Sequence, residues 1–174
     1  ADNWGAVYAD LGANVATGNA AQGDSFSAIE NLTGSAYYDT LFGDGGANRL
    51  AGGDGNDVLY GALGTDEFLF DTALNGLSNV DHILDFAVAT DRFLLDDAIF
   101  GMPTGALLPN SFISGVPVGG LNRIIYDSAA GALYFDPDGS GPQAAIHFAL
   151  LAGHPPITAA DFLGIWNGGS QVSA

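Results

Sequence analysis

From Gly34 onward every ninth residue is glycine for four steps: Gly34, Gly43, Gly52 and Gly61 open the nonapeptides GSAYYDTLF, GDGGANRLA, GGDGNDVLY and GALGTDEFL. Two further columns keep this phase. The sixth holds Asp39, Asn48, Asp57 and Asp66; the eighth holds Leu41, Leu50, Leu59 and Phe68, with Leu32 one step earlier. A unit so short cannot bury its own apolar side chain, so copies must stack on one another to build a shared core. Each unit reads as six turn residues and a three-residue strand whose middle side chain points inward. Two units complete one coil, which places turns 18 residues apart on the same side. Each turn then presents backbone carbonyls and one carboxylate to its neighbour, and a divalent cation between them would satisfy both.

Composition narrows the chemistry. The 174 residues are enough for one domain or two small ones. Net charge is −17, with three arginines and no lysine. Nothing here neutralises phosphates, so nucleic acid is excluded as a partner, and an anionic membrane surface is disfavoured. Schiff-base and P-loop lysine chemistry are excluded too. Of the 20 acidic residues all but Glu30 and Glu67 are aspartates, accompanied by 26 glycines. Short carboxylates on tight turns suit hard cations, above all calcium. Without cysteine there are no disulfides, zinc-thiolate sites or thiol catalysis. No apolar run is long enough to span a membrane as a helix. The chain opens at Ala1 without a methionine or leader pattern, as expected of a processed chain or an excised piece.

The stretch GGDGND at 52–57 resembles the G-G-x-G-x-D-x-U-x repeat of RTX (hemolysin-type calcium-binding repeat) proteins. The flanking copies depart from it, with Tyr37 at position four and Ser35, Asp44 and Ala62 at position two. The resemblance implies an all-β fold, a parallel β-roll of nonapeptide repeats with calcium between its turns. Upstream, Val7, Tyr8, Leu11, Val15, Phe26, Ile29 and Leu32 are expected to supply the strands of less regular coils. The roll with these coils is expected over residues 1–70.

Residues 71–174 are expected to form an antiparallel β-rich C-terminal cap with a short helix, and the resemblance implies that they contain the region that would direct secretion. DHILDFAVATDRFLLDDAIF at 81–100 alternates apolar and polar positions around a central turn and resembles segments that follow the roll in RTX C-terminal regions. A connector rich in glycine and proline spans 101–120. Ile124–Tyr126 and Ala132–Phe135 read as a hairpin around the turn 127–131. Residues 144–150 suit either a strand or a buried helix. Thr158 before Ala159, Ala160 and Asp161 reads as the N-cap of one or two helical turns. The tail 166–174 is expected to fray.

The resemblance also implies a ligand set. One calcium ion would take Asp39 and Asp57 with carbonyls of Gly52, Gly53, Asp54 and Gly55. A second would take Asn48 and Asp66 with carbonyls of Gly43, Gly45, Gly61 and Leu63. Asn48 contributes an oxygen but no charge, so the second site should be weaker. Asp136 and Asp138, in DPDGSG, share the D-x-D-G start of an EF-hand loop without its distal glutamate, and equally suit a plain hairpin turn. Asp24 and Glu30 are expected to be solvated.

Catalytic patterns are sparse. His82, His147 and His154 lack H-E-x-x-H spacing, and G-x-S-x-G does not occur. Asp96 and Asp97, if on one strand, would point to opposite faces. Trp4, Trp166 and the tyrosines could stack on sugars or fill the core. The resemblance implies a non-catalytic, calcium-binding, bacterial secreted or cell-surface domain that folds outside the cell after export by type I secretion machinery. An adhesin or polysaccharide-binding module, and the non-catalytic tail of a secreted protease, lipase or alginate epimerase, are the alternatives.

Overall fold

Three-residue strands alternating between two sheets are the basic unit of the structure, a computed structural model that describes residues 5–18, 22–115, 123–139 and 141–166. Trp4, residues 116–122 (the end of the connector and two residues beyond), Ser140 and the 167–174 part of the tail lie outside the described residues. In order the strands are β1 (Tyr8–Asp10), β2 (Val15–Thr17), β3 (Asn31–Thr33), β4 (Thr40–Phe42), β5 (Arg49–Ala51), β6 (Val58–Tyr60), β7 (Glu67–Phe70), β8 (Asp81–Ile83) and β9 (Arg92–Asp96). A one-turn helix, α1 (Asp97–Phe100), precedes β10 (Gly105–Ala106), β11 (Phe112–Ser114), β12 (Ile124–Asp127), β13 (Ala132–Phe135), β14 (Ile146–Leu151) and β15 (Phe162–Ile165). The regular secondary structure is nearly all strand, and the parallel sheets are those of a β-roll.

The 18-residue stacking is observed. Leu41 of β4 lies opposite Leu59 of β6, and Leu32, Leu50 and Phe68 align across β3, β5 and β7, all parallel. The parallel ladders run on past residue 70: Leu59 pairs with Ile83 in β8, and Phe68 with Phe93 in β9. They then receive β14 beside β8 and β15 beside β9, again parallel. Strands β12, β13 and β14 form an antiparallel meander, so the hairpin expected around 127–131 is present and 146–151 is a strand.

Upstream the coils depart from expectation. Tyr8 and Leu32 fall in parallel-stacked strands, but Val15 sits in β2, which folds back antiparallel on β1. The cause is the turn between them, where Asp10 accepts from the Ala13 amide and Asn14 takes a left-handed φ of 55°. Val7, Leu11, Phe26 and Ile29 lie in no strand.

Every inward residue of the eighth column is buried, as are Ile83 and Phe93 below it. Each such side chain contributes about 1.5–3 kcal/mol of burial free energy, which three-residue strands could not supply alone. Phe93 is the hub where roll and cap meet, stacked between Phe86 and Phe162 at centroid distances of 4.2 and 4.7 Å. Asp97 is not on a strand. Asp96 ends β9 and caps α1 by accepting from the Ala98 amide, which turns the chain before Asp97 could continue the sheet. The turn after Thr158 is a single 3₁₀ turn closed by a capping box with Asp161.

Candidate metal centre in the stacked turns

The sixth-column side chains are all turned inward, each only 1–2% exposed. Each carboxylate reaches up one coil. Asp57 Oδ1 accepts from the Asp39 amide at 2.8 Å, and Asp66 Oδ1 accepts from the Asn48 amide at 2.9 Å. These are the pairs 18 residues apart that the repeat brings together. Glycine at position one follows from this geometry. A Cβ on Gly52 would run into the Asp57 carboxylate, and the same holds for Gly34 with Asp39, Gly43 with Asn48 and Gly61 with Asp66. The two columns are therefore one constraint.

The side-chain oxygens not tied to the coil above separate the copies. Asp39 Oδ2 accepts from the Ser35 amide, and Asn48 Oδ1 from the Asp44 amide at 2.8 Å. Asp57 Oδ2 and Asp66 Oδ2 are buried with no hydrogen-bond partner. An orphaned anionic oxygen is costly. Burial, opposed by the Asp39 amide and reinforced by the Asp39 charge, pushes the Asp57 carboxyl up from its ordinary value. Burial and the nearby Asp91, Asp85 and Asp44 charges push Asp66 up to about 6, against the Asn48 amide.

A cation would relieve both sites. Among the described residues no three Asp, Glu, His or Cys side chains converge as a metal-holding group, so backbone carbonyls must complete any shell. Such carbonyls are at hand. Those of Ser35 and Tyr37 face Gly53 and Gly55 of the turn below, and that of Gly46 faces Gly64. An all-oxygen set with one or two carboxylates suits calcium, so the residues fit the group. The side chains of Asp54 and Leu63 project into solvent, which leaves only their carbonyls for the shell. Gly45 borders open space.

The ladder continues where the repeat does not. Asp81 Oδ1 accepts from the Asp57 amide at 3.1 Å, and Asp91 Oδ1 from the Asp66 amide at 3.0 Å. Asp85 takes the amides of Gly61 and Ala62 at 2.9 and 2.7 Å, and Asp161 takes that of Ala89 at 3.0 Å. Burial, then the Asp57 charge, drives the Asp81 carboxyl strongly upward. Sequence reasoning missed these residues as members of the stack. The signal was present: Asp81-His82-Ile83 and Asp91-Arg92-Phe93 repeat the order carboxylate, outward residue, inward apolar residue found in Asp57-Val58-Leu59.

Elsewhere, Asp136 Oδ1 accepts from the Asp138 amide at 3.2 Å and Asp138 Oδ2 from the Gln143 amide at 3.0 Å, while Asp138 Oδ1 is buried with no hydrogen-bond partner. Asp24 and Glu30 are exposed. His147 stacks on Tyr134 at 4.9 Å, and burial lowers its pKa.

The stacked glycine turns, the inward carboxylates and the continuous apolar column define a calcium-binding repeat domain of the β-roll class. Residues 26–59 and 33–68 match the RTX calcium-binding nonapeptide repeat family, with four copies. The N-terminal part of the chain thus carries RTX repeats, and calcium is the ion such repeats bind. No curated protein matches the chain. Among the described residues no helix is long and apolar enough to cross a membrane.

Proposed function

We propose that this chain is a calcium-driven folding module of a bacterial secreted or cell-surface protein, exported in a loose state by type I secretion machinery and set into its roll by extracellular calcium. The observation that carries the reading is the pair of orphaned buried oxygens, Asp57 Oδ2 and Asp66 Oδ2. Asp39 and Asp57 would hold one ion, with carbonyls of Gly52, Gly53, Asp54 and Gly55. Asn48 and Asp66 would hold a second, with carbonyls of Gly43, Gly45, Gly61 and Leu63. Bound calcium supplies positive charge to a stack that otherwise sets carboxylate over carboxylate.

The residues themselves do the rest. The eighth column supplies the core, and the sixth column ties each turn to the amide above it. At low calcium the −17 charge opposes compaction. Extracellular calcium modules bind at roughly 10⁻⁴–10⁻³ M, and each site adds about 2.7 kcal/mol when calcium exceeds its dissociation constant 100-fold. The module acts by binding and carries no reaction of its own.

Circular dichroism and thermal melting in chelator and then in excess calcium test this reading. The expected result is a gain of β signal and a raised Tm with calcium, and a weak response to magnesium. An unchanged spectrum and Tm would overturn it.

A further inference from the structure

Two departures from the repeat meet on one face of the roll. At position four the later copies have Gly46, Gly55 and Gly64, whereas the first has Tyr37. Between β7 and β8 the link is residues 71–80, longer than the six-residue link from β6 to β7, and it supplies most of the increase in the parallel step from 18 to 24 residues. The Tyr37 turn and the lengthened link line a single groove of about 700 Å³, walled by Tyr37, Tyr38, Asp54, Leu74, Asn75 and Ser78. That size lies within the roughly 300–1,000 Å³ of small-ligand sites.

Its chemistry is mixed in a particular way. Tyr37 and Tyr38 are 43% and 64% exposed and belong to no buried cluster. Aromatic rings held out of the core present apolar faces with a hydroxyl at one end. Opposite them, Asn75 accepts from the Leu77 and Ser78 amides at 2.9 and 2.8 Å and donates to Ser78 Oγ at 3.1 Å, so this wall is braced by its own turn. Asp54 adds an exposed carboxylate acceptor.

We propose that this groove binds a neutral oligosaccharide, its pyranose faces lying on Tyr37 and Tyr38 and its hydroxyls donating to Asp54. A polyanionic glycan is disfavoured, because the groove offers no cation and the chain carries −17. A basic peptide would be drawn by that charge, but one carboxylate among two tyrosines, an amide and a serine suits hydroxyl groups better. Tyr37 and Asp54 enter the calcium reading only through their backbone carbonyls, and Tyr38, on which the test turns, does not enter it at all.

The test is calorimetric titration of the whole chain, calcium present, with cellohexaose, maltohexaose and laminarihexaose, and separately with an oligolysine peptide. We expect stoichiometric binding of at least one hexasaccharide. Tyr38→Ala should weaken it about tenfold, equivalent to about 1.4 kcal/mol, with its melting curve unchanged. Tyr38→Phe should retain most of the affinity, and Asp54→Asn should lose part of it. If no hexasaccharide binds the folded chain, or Tyr38→Ala binds as well as the parent, the proposal is wrong. Oligolysine binding that depends on Tyr38, without saccharide binding, would assign the groove to a basic peptide instead.

Discussion

The regular coils from β3 to β7 and the longer coils through β8 and β9 solve the same problem by different means. In the first, every step is 18 residues and a glycine stands beside each inward carboxylate. In the second, the steps are 24 and 25 residues and the turns carry no glycine phase. Yet Asp81 and Asp91 still bind the amides of Asp57 and Asp66, and Ile83 and Phe93 still complete the apolar column. What must persist along a roll is the carboxylate-to-amide tie and the inward apolar residue. The glycine spacing is one way of placing them, used where two turns must approach closely.

The largest expected effect comes from breaking the longer coils at their core. Phe93 contacts the rings of Phe68, Phe70, Phe86 and Phe162 and is fully buried. Phe93→Ala should cost about 3–5 kcal/mol, read as a lowered urea midpoint, and calcium should not restore it. A loss under 1 kcal/mol would mean that the cap is not energetically joined to the roll.

Next in size are the carboxylates of the regular coils. Asp57→Ala and Asp66→Ala each strip the partner from one buried amide, a cost of about 1–3 kcal/mol common to both. They differ in charge. Asp57 stacks beneath the anionic Asp39, whereas Asp66 stacks beneath the neutral Asn48. Asp57→Ala should therefore raise the calcium midpoint for folding more than Asp66→Ala. An equal or reversed ranking by calorimetric titration would mean that Tyr37, at a glycine position, distorts the first turn enough to outweigh the charge.

These two experiments address parts of the molecule that were not equally legible. The sixth and eighth columns could be read directly, because a nine-residue phase ties glycine, carboxylate and leucine to fixed places. The joining of β8 and β9 to the roll could not be read from that phase, since the link at 71–80 and the turn before Asp91 break the count. Only the local order of Asp81-His82-Ile83 and Asp91-Arg92-Phe93 survived. The parallel seating of β14 and β15 on β8 and β9 depends on contacts such as Ile83 opposite Leu151 and Phe93 opposite Phe162. Such pairing across distant segments leaves no periodicity. The hairpin at 124–135 and the Thr158 cap were legible because turn and capping chemistry is local.

A smaller effect follows from pH. In chelator, the folded state holds protons on Asp66 up to about 6, and burial raises Asp57, Asp81 and Asp91 as well. The unfolded carboxylates titrate near 3.8. Raised folded values mean that this contribution to stability is complete below the unfolded value and is lost as pH rises through the folded ones. The metal-free chain should therefore melt higher near pH 4 than near neutrality. With calcium present the sign reverses, because ionised carboxylates are needed, and the calcium midpoint should rise as pH falls below about 6. Melting curves across pH in both conditions check this. A metal-free Tm that climbs toward neutral pH would remove the buried carboxylates as its cause.

The smallest effect compares two regular copies with each other. Position two is Gly53 in the third copy and Ala62 in the fourth, and both backbones are left-handed, at φ 95° and 72°. At Gly53 the residue is required twice over, since a Cβ would also strike the Ser35 carbonyl. Ala62 tolerates its Cβ but bears the left-handed cost of about 1–2 kcal/mol. Glycine there would remove that cost and add about 0.4–1 kcal/mol of unfolded-state entropy. Ala62→Gly should thus stabilise by between 0 and about 1.6 kcal/mol, each 1 kcal/mol being a rise in Tm of roughly 2–4 °C for a chain of this size. Gly53→Ala should destabilise by more than that gain, through φ and the carbonyl together. Because Asp85 binds the Ala62 amide through its backbone, that tie survives the exchange. If Ala62→Gly lowers the Tm, the Asp85 contact is holding a turn whose preferred state is not left-handed, and the fourth copy owes its shape to the longer coils below it.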